Sequence, residues 1–327
     1  MIISRTPLRI SFAGGGTDLR EYYRTGHGCV VSTAIKKYVY VTVNRRFDTT
    51  VRVSYSKTET VGSATEVSHP LIREAMHQAG VTQQVEITTV ADVPGRGTGL
   101  GSSSSLTVGA LHALHAYRGQ HRSAKALAEE ACRVEIDSLG EPIGKQDQYA
   151  SAYGGLNYIQ FNADESTLVE PIIMAKGTRQ ELERRLMSFH SGVDRQSREV
   201  LTEQKEEVPS KLPILDAMRD QAKDLRDALH ANDLTRFGEV LHEGWLLKRS
   251  LATRISSDFL DGLYERARAA GALGGKISGA GGGGFLTLYC EEAKQDKVRE
   301  ALGELREMRV RLDPQGSRII FVEEDHD

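Results

Sequence analysis

Alternating apolar and polar positions mark the first half of the chain. In "VEITTV" (85–90) the alternation is carried by β-branched residues, which predicts a strand. "LRISFA" (8–13), "YVYVTVN" (38–44), "TVRVSY" (50–55) and "GGLNYIQF" (154–161) read the same way, and the runs at 38–44 and 50–55 suggest a hairpin around "RRFD". Between them the period changes. Leu106, Ala110, Ala113, Leu114 and Tyr117 recur at three- and four-residue steps, predicting a helix that ends near Gly119. "PLIREAMHQAG" (70–80) predicts a short helix closed by Gly80, and Ser123 is a suitable N-cap for a helix running to about Asp137.

The pattern shifts between about 162 and 176, where we place a boundary separating domains 1–170 and 171–327. Beyond it, long charged helices are expected around 197–207, 214–230, 233–251 and 256–270. A glycine-rich turn, the strand "FLTLYC" (285–290), a helix at 292–305 and a closing strand "RIIFVEE" (318–324) follow. This ending suggests an α+β sandwich with helices on one face of an antiparallel sheet.

Composition narrows the function classes. A net charge of −3 over 327 residues carries no polycationic signature, which argues against nucleic acid and anionic membranes as partners. The first residues lack a charged segment followed by a long apolar one, and no run approaches transmembrane length. Cys29, Cys132 and Cys290 are too few and too dispersed for a disulfide framework or a zinc site, so a cytoplasmic location is expected. Glycine is the unusual residue. About half of the 32 glycines fall in clusters at 14–16, 95–101 and 271–284, as expected where backbone turns tightly or approaches a ligand.

The central cluster, "PGRGTGLGSSSS" (94–105), lies between a strand and a helix. Free backbone N–H groups and the positive end of the helix dipole would face the loop, and hydroxyls of Ser102, Ser103 or Ser104 could bond phosphate or a metal. A Walker-type loop is excluded by pattern, and "GTGLGS" lacks the acidic residue a dinucleotide site needs about twenty positions on. A structural turn with a serine-rich cap remains the plain alternative. Glu135 falls on the same helix side as Ala124, Ala128 and Ala131, a costly place for a carboxylate unless a metal or an arginine pairs with it. Asp147 stands in "GEPIGKQDQYASAYGG" (140–155), on a loop or at a helix start, where an N-cap is the ordinary role.

Together, "TPLRISFAGGGTDL" (6–19), "PGRGTGLGSSSS" (94–105) and "KISGAGGGGF" (276–285) resemble, in order, the three motifs of the GHMP superfamily of small-molecule kinases. The resemblance implies an N-terminal domain of the ribosomal-protein-S5 second-domain type, a ferredoxin-like C-terminal α/β sandwich and a site in the cleft between them. It implies ATP and Mg²⁺ as cofactors. Gly97, Gly99, Leu100, Gly101, Ser102, Ser103 and Ser104 would hold the nucleotide phosphates, with Gly281 and Gly282 closing over them from the third motif. Ser103 and Glu135 would bind the metal; Ser102 and Asp137 are the alternatives, and the interval from Glu135 to Asp147 is one residue longer than in mevalonate kinase. Asp147 would take the proton of the attacking hydroxyl, and Arg9 would stand beside the transferred phosphoryl group. By alignment with the galactokinase pattern Asp18 would bind a sugar hydroxyl, next to Gly15 and Gly16. "GGG" replaces the Gly-Glu-His of galactokinase, which argues against galactose.

Finer features, among them "GLGSSSSLTVG", "GKQDQYASAYGGLN", "FHSGVDRQSREVL" and "HEGWLLKRSL", resemble bacterial kinases that phosphorylate the anomeric hydroxyl of D-glycero-D-manno-heptose 7-phosphate in a GDP-heptose route. A fucokinase-type sugar 1-kinase and a non-catalytic sugar or nucleotide sensor are the alternatives. A phosphorylated acceptor needs a second anion site, for which Arg195, Arg198, Lys248 and Arg249 are available, Arg195 first. Solvated helix charge is the ordinary reading of each. The lone Trp245 is expected in the core, and the expected partners are a sugar phosphate and ATP, with room for a homodimer.

Overall fold

The computed structural model describes residues 1–94, 97–193 and 197–323. Among the described residues twelve strands form two sheets: β1 (Ile2–Ala13), β2 (His27–Arg45), β3 (Val51–Ser54), β4 (Thr58–Val61), β5 (Val85–Ala91), β6 (Leu156–Asn162), β7 (Thr167–Pro171), β8 (Leu186–His190), β9 (Gly274–Ile277), β10 (Phe285–Tyr289), β11 (Arg306–Glu307) and β12 (Arg318–Val322). The first sheet runs β12-β1-β2-β5-β3-β4, with β6 on β2 and β7 on β6; the second runs β11-β8-β10-β9.

β2 is 19 residues long and pairs with β1 on one edge and with two strands on the other, β6 along His27–Thr33 and β5 along Val39–Arg45. Only its second half alternates. From Gly28 to Ile35 every position is buried, so the periodic signal for a strand is lost there. The expected hairpin around "RRFD" does not form. β5 inserts between the two strands, antiparallel to β2 and parallel to β3, with Val51 opposite Val85. Alternation specifies which face is buried, and either pairing satisfies it.

The helix Ser102–Tyr117 lies across β1 and β2. Gly109 permits this approach: a Cβ there would stand 2.8 Å from Thr6 Oγ1, and Ser4 Oγ donates to the Gly109 carbonyl at 2.8 Å. The helices Leu212–His230 and Leu234–Arg249 join the sheets. Phe12 of β1, Phe237 and Tyr289 of β10 stack edge to face with centroid spacings of 5.1 Å, one continuous apolar seam between the layers. Trp245 is fully buried, as expected.

The chain's ending differs from expectation. Strand 318–324 was expected to close the second domain, but after Glu307 the backbone returns to the first sheet. Lys36 N donates to Arg311 O at 2.8 Å, Asp313 N to Ala34 O at 2.9 Å, and β12 pairs antiparallel with β1. The second sheet is antiparallel throughout. Among the described residues, no helix is long and apolar enough to cross a membrane.

Candidate active site between the two sheets

β1 ends in the turn Gly14–Gly16, which doubles back against β2. A Cβ on Gly14 would come within 2.0 Å of Cys29 O, so only glycine fits, and its φ of 81° is in the left-handed region. Thr17 Oγ1 lies 2.8 Å from both Gly14 O and Cys29 O. The turn delivers Asp18 inward at 3% exposure. Its Oδ1 accepts from Gly16 N at 2.9 Å and Gln146 Nε2 at 3.2 Å, and its Oδ2 accepts from Gln146 N at 3.2 Å. Burial, and secondarily the nearby Asp147 charge, push the Asp18 carboxyl above its ordinary value. Oδ2 keeps one lone pair for a ligand.

Arg9 and Asp147 meet here. Nε donates to Oδ1 and Nη2 to Oδ2, both at 2.7 Å, the two-pronged arrangement a guanidinium makes with a carboxylate. Arg9 Nη1 donates to Gly99 O at 2.6 Å, and the Arg9 backbone N–H to Leu100 O at 3.0 Å, which fixes the glycine–serine loop on β1. Asp147 lies in the first turn of helix Gln146–Tyr153 and pairs with Arg9; Lys145, not Asp147, is the N-cap.

Gly97, Gly99 and Gly101 all have left-handed φ, between 73° and 76°. Gly101 caps the helix Ser102–Tyr117 without a side-chain hydrogen bond, and the first helical backbone bond is Ser105 N to Gly101 O at 2.9 Å. The N–H groups of Ser102, Ser103 and Ser104 therefore open into the loop, where helix geometry gives them no internal acceptor. That is a backbone anion cradle.

Glu135 is 1% exposed, on a π-helical turn over Arg133–Ser138, a widened turn that often marks functional sites. Gln148 Nε2 donates to its Oε2 at 2.5 Å, and the Ser104 and Thr107 hydroxyls lie close enough to favour its charged form. Burial raises its carboxyl to about 7. Ser103, expected beside Glu135, is exposed on the loop side, and the buried Ser104 takes that place. One residue of helix rotation separates them, beyond what a run of four serines can reveal. Asp137 instead pairs with Arg20 at 2.8 Å.

The third glycine cluster reaches the loop a few residues later than expected. Gly281 and Gly282 pack on Ile255, with Gly282 N donating to Ile255 O at 2.6 Å. Gly284 and Phe285 make the loop contact: Phe285 N donates to Thr98 O at 3.2 Å, and a Cβ on Gly284 would stand 2.5 Å from Gly97 O. Gly15 sits 3.8 Å from both Gln146 Nε2 and Ser11 Oγ, measured from an added Cβ, and Gly16 lends its N–H to Asp18. Ser11 Oγ and Gln146 Oε1 are buried without a partner.

Of the four cations considered for a second anion, Arg195 lies outside the described residues. Arg198 pairs with Glu141 at 3.7 Å, Lys248 donates to Gly279 O, and Arg249 pairs with Asp261 at 2.6 Å. A hollow of about 410 Å³ beside Pro142 is lined by Glu21, Arg198, Lys205 and Glu206, with Lys205 bound to Glu21 at 3.1 Å.

The sequence reading passed over several site residues. Gly144 touches Asp18 so closely that a Cβ would lie 2.0 Å from Oδ2. Lys145 anchors the loop through Glu165 and the face of Tyr23, 4.7 Å from the ring centroid. Gln146 and Gln148 hold Asp18 and Glu135. Lys276, 5% exposed, comes from β9 to donate to Phe12 O at 3.4 Å. β9 is buried at all four positions, which makes a charged residue there unusual.

The chain is similar to known proteins along most of its length. Residues 66–155 match the GHMP kinases N terminal domain and residues 225–306 the GHMP kinases C terminal. The D-glycero-alpha-D-manno-heptose 7-phosphate kinase of Campylobacter jejuni is 28% identical over 92% of this chain and 93% of its own length. The mevalonate kinase of Methanothermobacter thermautotrophicus is 30% identical over 71% of this chain and 73% of its own. A solved D-glycero-D-manno-heptose 1-phosphate kinase from Bacteroides thetaiotaomicron superposes with a TM-score of 0.83 at 24% identity, covering 99% of this chain and all of that one, which establishes the shared α+β fold. The chain belongs to the GHMP kinase family.

Proposed function

We propose that this protein transfers the γ-phosphoryl group of ATP to the anomeric hydroxyl of a sugar phosphate, D-glycero-D-manno-heptose 7-phosphate, giving the 1,7-bisphosphate. The observation that carries the reading is the Arg9–Asp147 pair, hydrogen-bonded to the glycine–serine loop on one side and next to the Asp18 recess on the other. A base for the acceptor and a cradle for the donor phosphates share one anchoring arginine. The heptose phosphate kinase relative, matched over nearly its whole length, supports the acceptor class.

Phosphoryl transfer asks for positioning and charge stabilisation more than covalent help. The open N–H groups of Ser102–Ser104 bind donor phosphate oxygens. Asp147 accepts the proton as the anomeric O–H bond breaks and the new P–O bond forms, and ADP leaves with the electrons of the old P–O bond. Arg9 holds Asp147 in line and offers guanidinium charge to the moving phosphoryl group. Asp18 and Gln146 orient the sugar hydroxyls.

The donor set suits magnesium. Glu135 is a buried carboxylate among hydroxyls and an amide, and the Oε1 of its neighbour Gln148 has no partner. Among the described residues no three His, Cys, Asp or Glu side chains converge, but Mg²⁺ needs only one or two carboxylates plus substrate phosphates. Glu135 with Ser104, or Ser103 after a side-chain turn, would hold it; when bound it would neutralise donor phosphate charge.

Coupled ADP release with Mg-ATP tests the reading across the heptose 7-phosphate, the unphosphorylated heptose, mannose, fucose and galactose. Preference for the 7-phosphate is expected, with Asp147→Asn slower by about 10²–10⁴-fold at unchanged nucleotide binding. Faster turnover of fucose would replace the heptose assignment. Silence on all five with ATP still bound would favour a sensor.

A further inference from the structure

Lys276 has no part in the mechanism above, yet it is buried with Arg9 and Asp18 as its charged neighbours. It sits on β9 of the second sheet, opposite Thr287, and its side chain crosses to β1 of the first. An ammonium has three donors. The described residues supply one acceptor, Phe12 O at 3.4 Å, long for such a bond. The charges around it are Arg9 and Asp18. The nearby carboxylate, Asp18, already accepts from Gly16 and Gln146. Burial and the Arg9 charge lower the Lys276 amine to about 7. A buried ammonium so poorly matched is destabilising unless a ligand completes its shell.

We propose that Lys276 is a catalytic residue: its ammonium contacts the phosphoryl group in transit and forms with Arg9 a pair of cations, one from each sheet, around the developing charge. This rests on the kinase reading above. Negative charge spreads over the equatorial phosphoryl oxygens during transfer, and a preplaced cation in a dry site stabilises it at no reorganisation cost. Because Lys276 belongs to the second sheet and its target to the first, the contact also ties phosphoryl binding to the relative position of the two layers.

The test is Lys276→Met, with Lys276→Arg beside it, measured for kcat, acceptor KM, affinity for a non-hydrolysable ATP analogue and melting temperature. Replacing a buried charge by an apolar side chain of similar length is often neutral or stabilising. The expected result is a melting temperature equal to or above the native one, unchanged analogue affinity, and kcat lower by about 10²-fold or more on every acceptor used. Lys276→Arg should retain more rate than Lys276→Met. Native kcat in Lys276→Met overturns the inference and leaves the kinase reading intact. A rate loss accompanied by a lower melting temperature and lost analogue binding overturns it in favour of a structural link. A change confined to the KM of phosphorylated acceptors overturns it too, moving the ammonium to the acceptor's own phosphate. No turnover by the native chain on any acceptor overturns both.

Discussion

Replacing Gly144 with alanine should damage the acceptor side of the site from a position that carries no chemistry. The added Cβ would lie 2.0 Å from Asp18 Oδ2, 2.3 Å from its Cγ and 2.7 Å from its backbone oxygen. Because one of the three is backbone, rotating the Asp18 side chain cannot relieve the clash. Reaching ordinary contact near 3.4 Å requires a relative shift of about 1.4 Å at Oδ2. Overpacking of this kind costs about 1–3 kcal/mol. The shift also stretches the bonds from Gln146 N and Nε2, already 3.2 Å, and bonds to a charged group contribute about 1.5–3 kcal/mol each. A loss of roughly 3–5 kcal/mol follows, read as a melting temperature lower by about 4–7 °C for a chain of 327 residues. Asp147 is three residues along the same segment, and a displacement of about 1 Å at a reacting group can cost 10²-fold in rate. Differential scanning fluorimetry and initial rates on one preparation measure both effects. Gly140→Ala is the control: its φ of 63° is left-handed but nothing lies within 4 Å of the added Cβ. It should cost about 1–2 kcal/mol and leave kcat unaltered. Native stability and acceptor KM in Gly144→Ala would refute the reasoning about Asp18.

Gln148→Leu removes the donor that orients Glu135, so the Mg²⁺ concentration for half-maximal rate should rise about 10–100-fold, seen in a metal titration at saturating substrates; an unchanged titration would separate Glu135 from the metal. The stability of Lys276→Met relative to the native chain should depend on pH. With the folded amine lowered to about 7, the unfolded chain binds the extra proton from there up to the ordinary lysine range, and native stability rises with pH across that window. Below it both states are protonated and the burial cost is present in full, so the variant's advantage should be greater near about pH 6 than near about pH 9.5. An equal difference in melting temperature at both values would mean that Lys276 is not held in this environment.

Much of the site was readable because its parts depend on residue type within short segments. Glycines 97, 99 and 101 take left-handed backbone, and Glu135 is buried, on the π-helical turn that follows the alanine-lined helix Ala124–Cys132. Arg9 and Asp147 lie 138 positions apart, and only the family resemblance placed both beside the phosphoryl group. What stayed hidden depends on three-dimensional partners. The parallel pairing of β3 with β5 buries the same faces as the expected hairpin, so hydrophobic pattern cannot choose between them, and β12 adds to the edge at β1 with Ile320, Phe321 and Val322 exposed, so its apolar residues do not report which sheet it joins. Ser103 and Ser104 differ by 100° of helix rotation, and the helix start had to be known to tell them apart. Lys276 escaped notice because its meaning lies in Arg9 and Asp18, which approach it from the other sheet.

The central claim is that the anomeric hydroxyl of a sugar phosphate is the acceptor. Phosphorus NMR of a reaction containing D-glycero-D-manno-heptose 7-phosphate, ATP and Mg²⁺ tests it most directly, because the signal reports which oxygen is phosphorylated. The account predicts a second sugar phosphate resonance coupled to the anomeric proton, growing with ADP while the 7-phosphate signal persists. A new resonance coupled to any other sugar proton, or ADP formed with inorganic phosphate alone, would contradict it.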